Sequence, residues 1–158
     1  MDDIRPCGVE KEGSATKMTA REYRKQVYND ASMIATRYLT MKRQIRYLQD
    51  EIIHAQGGCA DGMPRGSGTG DPTATKAERM IRSLTDVQRK VDAVEKAFAE
   101  LRDEHERTLI RKNVFEGIPV THIDVPISSR TCQRIRGQFI WHVALNLGMY
   151  WRDNDAIN

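Results

Sequence analysis

The run SSRTCQRIRGQF, from Ser128 to Phe139, carries Arg130, Gln133 and Arg134 at spacings of three and one, with Arg136 beside them. In a helix this spacing gathers the three side chains on one face, opposite Cys132, Ile135, Phe139 and Val143. A guanidinium fork matches the paired acceptors on the major-groove edge of guanine, and a carboxamide matches the donor and acceptor of adenine. Ser128 or Ser129 supplies an N-cap, so these residues occupy the first turns of a capped helix, where a recognition helix meets base edges and phosphates. The same pattern also describes the solvated face of any amphipathic helix, and on side-chain chemistry alone both readings stand.

Other candidate chemistry is thinner. His54, His105, His122 and His142 are too scattered in sequence for a metal site, and HIDV offers only His122 and Asp124 on a short segment. Cys7, Cys59 and Cys132 show neither zinc-ligand spacing nor a disulfide framework, which suits a reducing compartment. The glycine-rich GSGTGDP lacks the Lys and Ser/Thr that end a phosphate loop, and a helix instead of a strand is predicted ahead of it. No nucleophile elbow, zinc motif or acidic dyad is present, so neither catalysis nor a cofactor nor a metal is expected.

The elements that must hold the Arg130 face are helical. Charged residues make up 30% of the 158 and aromatics 6%, a balance that favours long solvated helices. The net charge of +3 is too mild to argue for nucleic acid, so the placement of the charges decides. No apolar run approaches the ~18–20 residues a membrane span needs, and the first residues lack the apolar centre of a secretion signal, so a soluble cytoplasmic protein is expected.

Residues 1–18 mix Gly, Pro, Ser and both charge signs without period and read as a flexible arm. Thr19 and Glu22 make a capping box, after which Val27, Ala31, Ile34, Tyr38, Met41, Ile45, Leu48 and Ile52 step by threes and fours. A glycine-rich loop at 56–72 ends the stripe. A second helix starts near Asp71 and Pro72, with Thr75 and Glu78 as a further capping box. It repeats the pattern through Ala77, Met80 or Ile81, Leu84, Val87, Val91, Val94, Phe98 and Leu101. The expected fold is therefore all-α: a long antiparallel coiled-coil hairpin over 19–102, followed by a small helical module over 103–158. In that module RDEHERTLIRKNVFEGI places Leu109, Ile110, Val114 and Phe115 on a helix ended by Gly117. PVTHIDVP has room for no more than one helical turn. Trp141, Tyr150 and Trp151 near the end are expected to pack back on the core or on a second subunit.

The run from about Glu104 to Gly148 resembles the sigma-factor region-four type of helix-turn-helix in phage and prophage late-gene transcription regulators of the RinA and ArpU type. The matching parts are RTLIRKNVFEG, like a first helix ending in an aromatic and Gly, and SSRTCQRIRGQF, like the opening of a reading helix. Such proteins also carry a coiled-coil hairpin ahead of the DNA-binding module. The interval from Gly117 to Ser128 departs from the pattern, since a full supporting helix normally fits there; Val120, Ile123 and Val125 would have to wedge beneath the reading helix as a turn or extended segment. The resemblance implies that Ser129, Arg130, Gln133 and Arg134 face the major groove, with Thr131 and Arg136 nearer phosphate. It implies double-stranded DNA as partner, and a hairpin that forms a homodimer or contacts RNA polymerase. Two other uses of the same parts are a small terminase subunit for DNA packaging and a coiled-coil adaptor without DNA binding.

Overall fold

The structure, a computed structural model, describes residues 19–56 and 72–149. The arm at 1–18, nearly all of the glycine-rich loop, Cys7, Cys59, Tyr150 and Trp151 lie outside the described residues. The described chain is all-helical, without strands: α1 (Ala20–Thr36), α2 (Tyr38–Gln56), α3 (Pro72–Ala99), α4 (Glu104–Ile110) and α5 (Ser129–Asn146). A π-turn (Arg111–Phe115) and a single 3-10 turn (Val120–His122) lie between α4 and α5.

The first helix starts where the capping box predicts. The Thr19 amide donates to Glu22 Oε2 at 2.9 Å and the Glu22 amide donates to Thr19 Oγ1 at 3.3 Å, so two orphan donors are satisfied reciprocally. The long first stripe does not run unbroken. At Arg37 the backbone relaxes to φ −87°, ψ 4°, and its amide is shared between the carbonyls of Met33 and Ile34. The break has a packing cause, because the two halves of the stripe face different neighbours: Val27, Ala31 and Ala35 turn toward α5, whereas Met41 and Ile45 turn toward α3.

The α2 and α3 helices run antiparallel. Tyr38 at the start of α2 meets Glu95, while Gln49 further along shares a surface cleft with Leu84, Thr85 and Gln88, earlier on α3. Met41, Ile45, Val87 and Val91 form their seam. Burial fades away from the core, with Ile53 64% and Ile81 50% exposed, since two helices alone cannot cover each other's apolar stripes. Thr75 is not a cap: α3 already begins at Pro72, which puts Thr75 inside the first turn, and Glu78 pairs with Arg82 instead.

The main core does not divide at residue 102. Val27, Ala31 and Ala35 of α1 and Ala93, Val94 and Ala97 of α3 share one buried cluster with Leu109, Ile110, Val114, Ile123 and the inner face of α5. The alanines matter because small side chains let α5 settle between two helices at close range. Asn146 Nδ2 donates to the Ala93 carbonyl at 3.2 Å, tying the end of α5 to α3.

Candidate nucleic-acid interface

Ser128 caps α5. Its hydroxyl accepts from the Thr131 amide at 3.3 Å and lies 2.9 Å from the Thr131 hydroxyl, while its carbonyl accepts from the Cys132 amide. Thr131 is thereby drawn into the cap and half-buried, which separates it from the exposed Ser129, Arg130, Gln133, Arg134 and Arg136. Cys132, Ile135, Phe139, Ile140 and Val143 are all buried, so the helix is locked in rotation about its axis. Positions 130, 133 and 134 follow the i, i+3, i+4 rule and form one solvent-facing strip, with the half-buried Gly137 next along the same side. Arg136 follows Gln133 by one turn and flanks that strip.

The electrostatics of α5 are one-sided. The helix contains Arg130, Arg134, Arg136 and His142 but no Asp or Glu. Among the described residues none of the three arginines makes an ion pair or a hydrogen bond, so their donors point to solvent. His142 lies elsewhere, against Glu100 at the end of α3.

The segment beneath α5 is short and well anchored. α4 starts at Asp103, whose carboxylate accepts from the His105 amide at 3.1 Å, with Glu104 and Glu106 in the first turn as the helix dipole favours. The helix then widens: the Glu116 amide reaches back five residues to the Arg111 carbonyl at 3.1 Å. The extra residue in this π-turn swings Phe115 into a ring cluster, 4.6 Å from Tyr38, 5.6 Å from Phe98 and 6.0 Å from Phe139 between centroids. Gly117, at φ 73°, ends the element in the left-handed region, and the Ile118 amide closes on the Lys112 carbonyl.

Residues 118–127 then form one 3-10 turn and extended chain. Ile123 is buried, and Val120, Val125 and Ile127 pack against the core as partly buried neighbours. The hydrophobic wedge anticipated beneath α5 is thus present without a second full helix. Cys132 Sγ approaches the Ile127 carbonyl at 3.7 Å and ties the wedge to the first turn of α5.

Trp141 packs back on the core as expected, its ring tilted against Tyr28 of α1 with centroids 5.8 Å apart. Sequence reasoning missed the partner on α1 and the polar network of Tyr38, Lys42 and Glu95 across α2 and α3. Neither is signalled by local spacing, because each joins residues far apart in the chain. Among the described residues no cluster of three His, Cys, Asp or Glu side chains forms a metal-binding group. No described helix is long and apolar enough to cross a membrane. No family model matches this sequence, and no similar protein was found among curated proteins or solved structures.

Proposed function

We propose that this chain is a sequence-specific double-stranded-DNA-binding transcription regulator of the phage type that its C-terminal run resembles. In this reading α4, the π-turn, the 3-10 turn and α5 make a helix-turn-helix whose second helix has collapsed to a single turn. α5 enters the major groove with Ser129, Arg130, Gln133 and Arg134 toward base edges and Arg136 toward phosphate. The α2–α3 pair serves as the coiled-coil arm for a homodimer or for RNA polymerase, which suits its half-covered apolar stripe.

The observation that carries the reading is the face of α5 itself. Arg130, Gln133 and Arg134 are exposed on one strip of a capped, acid-free helix whose other side is fixed by a buried core. A merely solvated face ordinarily mixes both charge signs, as α3 does with Asp86, Lys90, Glu95 and Lys96.

Fluorescence anisotropy against duplexes enriched from a random library, at two salt concentrations, tests it. Wild-type protein should prefer the enriched duplex and weaken steeply with salt. Arg134→Ala should lose about 1–3 kcal/mol on that duplex and little on scrambled sequence. Binding that ignores both sequence and substitution would leave α5 as scaffold.

A further inference from the structure

We infer that the first two turns of α1 form a second, sequence-independent phosphate contact beside α5, made by Arg21 and Lys25. This rests on the DNA-binding reading above. The two helices run in the same direction: Tyr28 stacks on Trp141, and further along both chains Met149 lines a cleft with Asp30, Met33, Ile34 and Arg37. Counting back seven residues from the Tyr28–Trp141 pair moves two turns, about 10.5 Å, along each helix while keeping the same side chain direction to within about 20°. The count arrives at Arg21 on α1 and Arg134 on α5. Four residues back from the pair stand Arg24 and Gly137, the latter without a side chain to fill the space between the helices.

Burial sets this end of α1 apart. Val27 is 5% exposed and Ala31 fully buried, yet Thr19 to Gln26 are all exposed. The helix therefore continues past the core as a projecting stub, level with the strip on α5. Its carboxylates are occupied: Glu22 is held by Thr19, and Asp30 accepts from Gln26 Nε2 at 2.9 Å. Arg21 and Lys25, seven and three residues before Tyr28 on one edge, have no such partner among the described residues. Together with the acid-free α5 they make a two-helix positive surface with a central reading strip and one charged flank. A duplex backbone is the complementary occupant, since the groove edges that flank a reading helix are lined by phosphates. Such contacts position a protein without reading sequence.

The test uses the full chain carrying Arg21→Gln and Lys25→Gln together, changes that keep helix propensity and touch no buried residue. Circular dichroism melting should match wild type. Binding to the enriched duplex and to a scrambled duplex should weaken by the same factor, leaving their ratio unchanged, and the log–log salt slope should drop by about 2, one per lost phosphate contact. Unchanged affinity and slope in this variant, alongside a wild type that binds and an Arg134→Ala that loses selectivity, overturns the flank and leaves the reading helix standing. A changed selectivity ratio also overturns it, because α1 would then be reading bases. If wild-type protein shows no salt-dependent binding to either duplex, the DNA-binding reading fails and the flank falls with it.

Discussion

Tyr38, Lys42 and Glu95 tie the break between α1 and α2 to α3. The phenol donates to Glu95 Oε1 at 2.9 Å and the ammonium donates to the same oxygen at 3.0 Å. The hydrogen bond from Lys42, then that from Tyr38, holds the Glu95 carboxyl below its ordinary range, while the bond to Glu95 raises Lys42. Burial, followed by the bond to Glu95, raises Tyr38. A depressed carboxyl stabilises the fold above its unfolded value of about 4.3, and that contribution is lost as pH falls through the lower folded value. A raised ammonium contributes fully below about 10.4 and loses its share as pH climbs through the higher folded value. Both side chains are nearly half exposed, at 45% and 47%, so solvent screening limits the pair to about 0.2–1 kcal/mol. Glu95→Gln should therefore cost less than about 1 kcal/mol in urea unfolding at pH 7 and converge on wild type in acid, once pH has fallen through the lowered folded value. An equal deficit at pH 7 and in acid would mean that shape, not charge, sets the contribution of Glu95.

Two glycines in neighbouring elements should respond to alanine with opposite signs. Gly117 sits at φ 73° where α4 and its π-turn end, and a Cβ there would meet nothing within 4 Å, so the cost of Gly117→Ala is purely conformational, about 1–2 kcal/mol. Gly137 is in the interior of α5 with equally open space, so Gly137→Ala should add about 0.8–1 kcal/mol through helix propensity. Thermal melts of the two variants check both signs; a Gly137→Ala protein that melts below wild type would reveal a neighbour α5 needs close. The same elements mark how far the sequence could be read. The helices were visible in their apolar period, the Thr19–Glu22 start in its capping box, and the exposed strip of Arg130, Gln133 and Arg134 in the pattern that buries Cys132 and Ile135. The break at Arg37 and the π-turn were not, because both answer to distant packing partners. Nor was the inward tie of Thr131, which depended on whether Ser128 or Ser129 is the cap. Ala35, Ala93 and Ala97 fell outside the large-residue stripes, although they are the surfaces against which α5 closes. The inferred register of Arg21 with Arg134 rests on the Tyr28–Trp141 contact, which joins residues far apart in the chain.

At the scale of the whole molecule, the helices that carry the proposed reading face share their core with α1 and α3. The inner face of α5, with Phe139, Ile140, Val143 and Ala144 almost wholly buried, is covered partly by α4 and the wedge at Ile123, and partly by α1 and α3. Removing α1, α2 and α3 would strip away Val27, Ala31, Ala35, Ala93, Val94 and Ala97 together with the Phe98 and Tyr38 sides of the Phe115 ring cluster. Among the described residues what remains is one seven-residue helix, two short turns and α5, less apolar surface than a domain of that size needs to offset its chain entropy. A fragment beginning at residue 103 should therefore give a broad, non-cooperative thermal profile and poorly dispersed amide resonances, whereas the full chain should unfold in one cooperative transition. The coupling has a functional corollary under the DNA-binding proposal. A core substitution in α1 such as Ala31→Asp, which buries an unpaired charge at a fully covered position, should abolish duplex binding along with the fold even though it touches none of the proposed contact residues. A fragment from residue 103 that melts cooperatively and still selects the enriched duplex would show instead that α1 and α3 merely shelter a self-sufficient module.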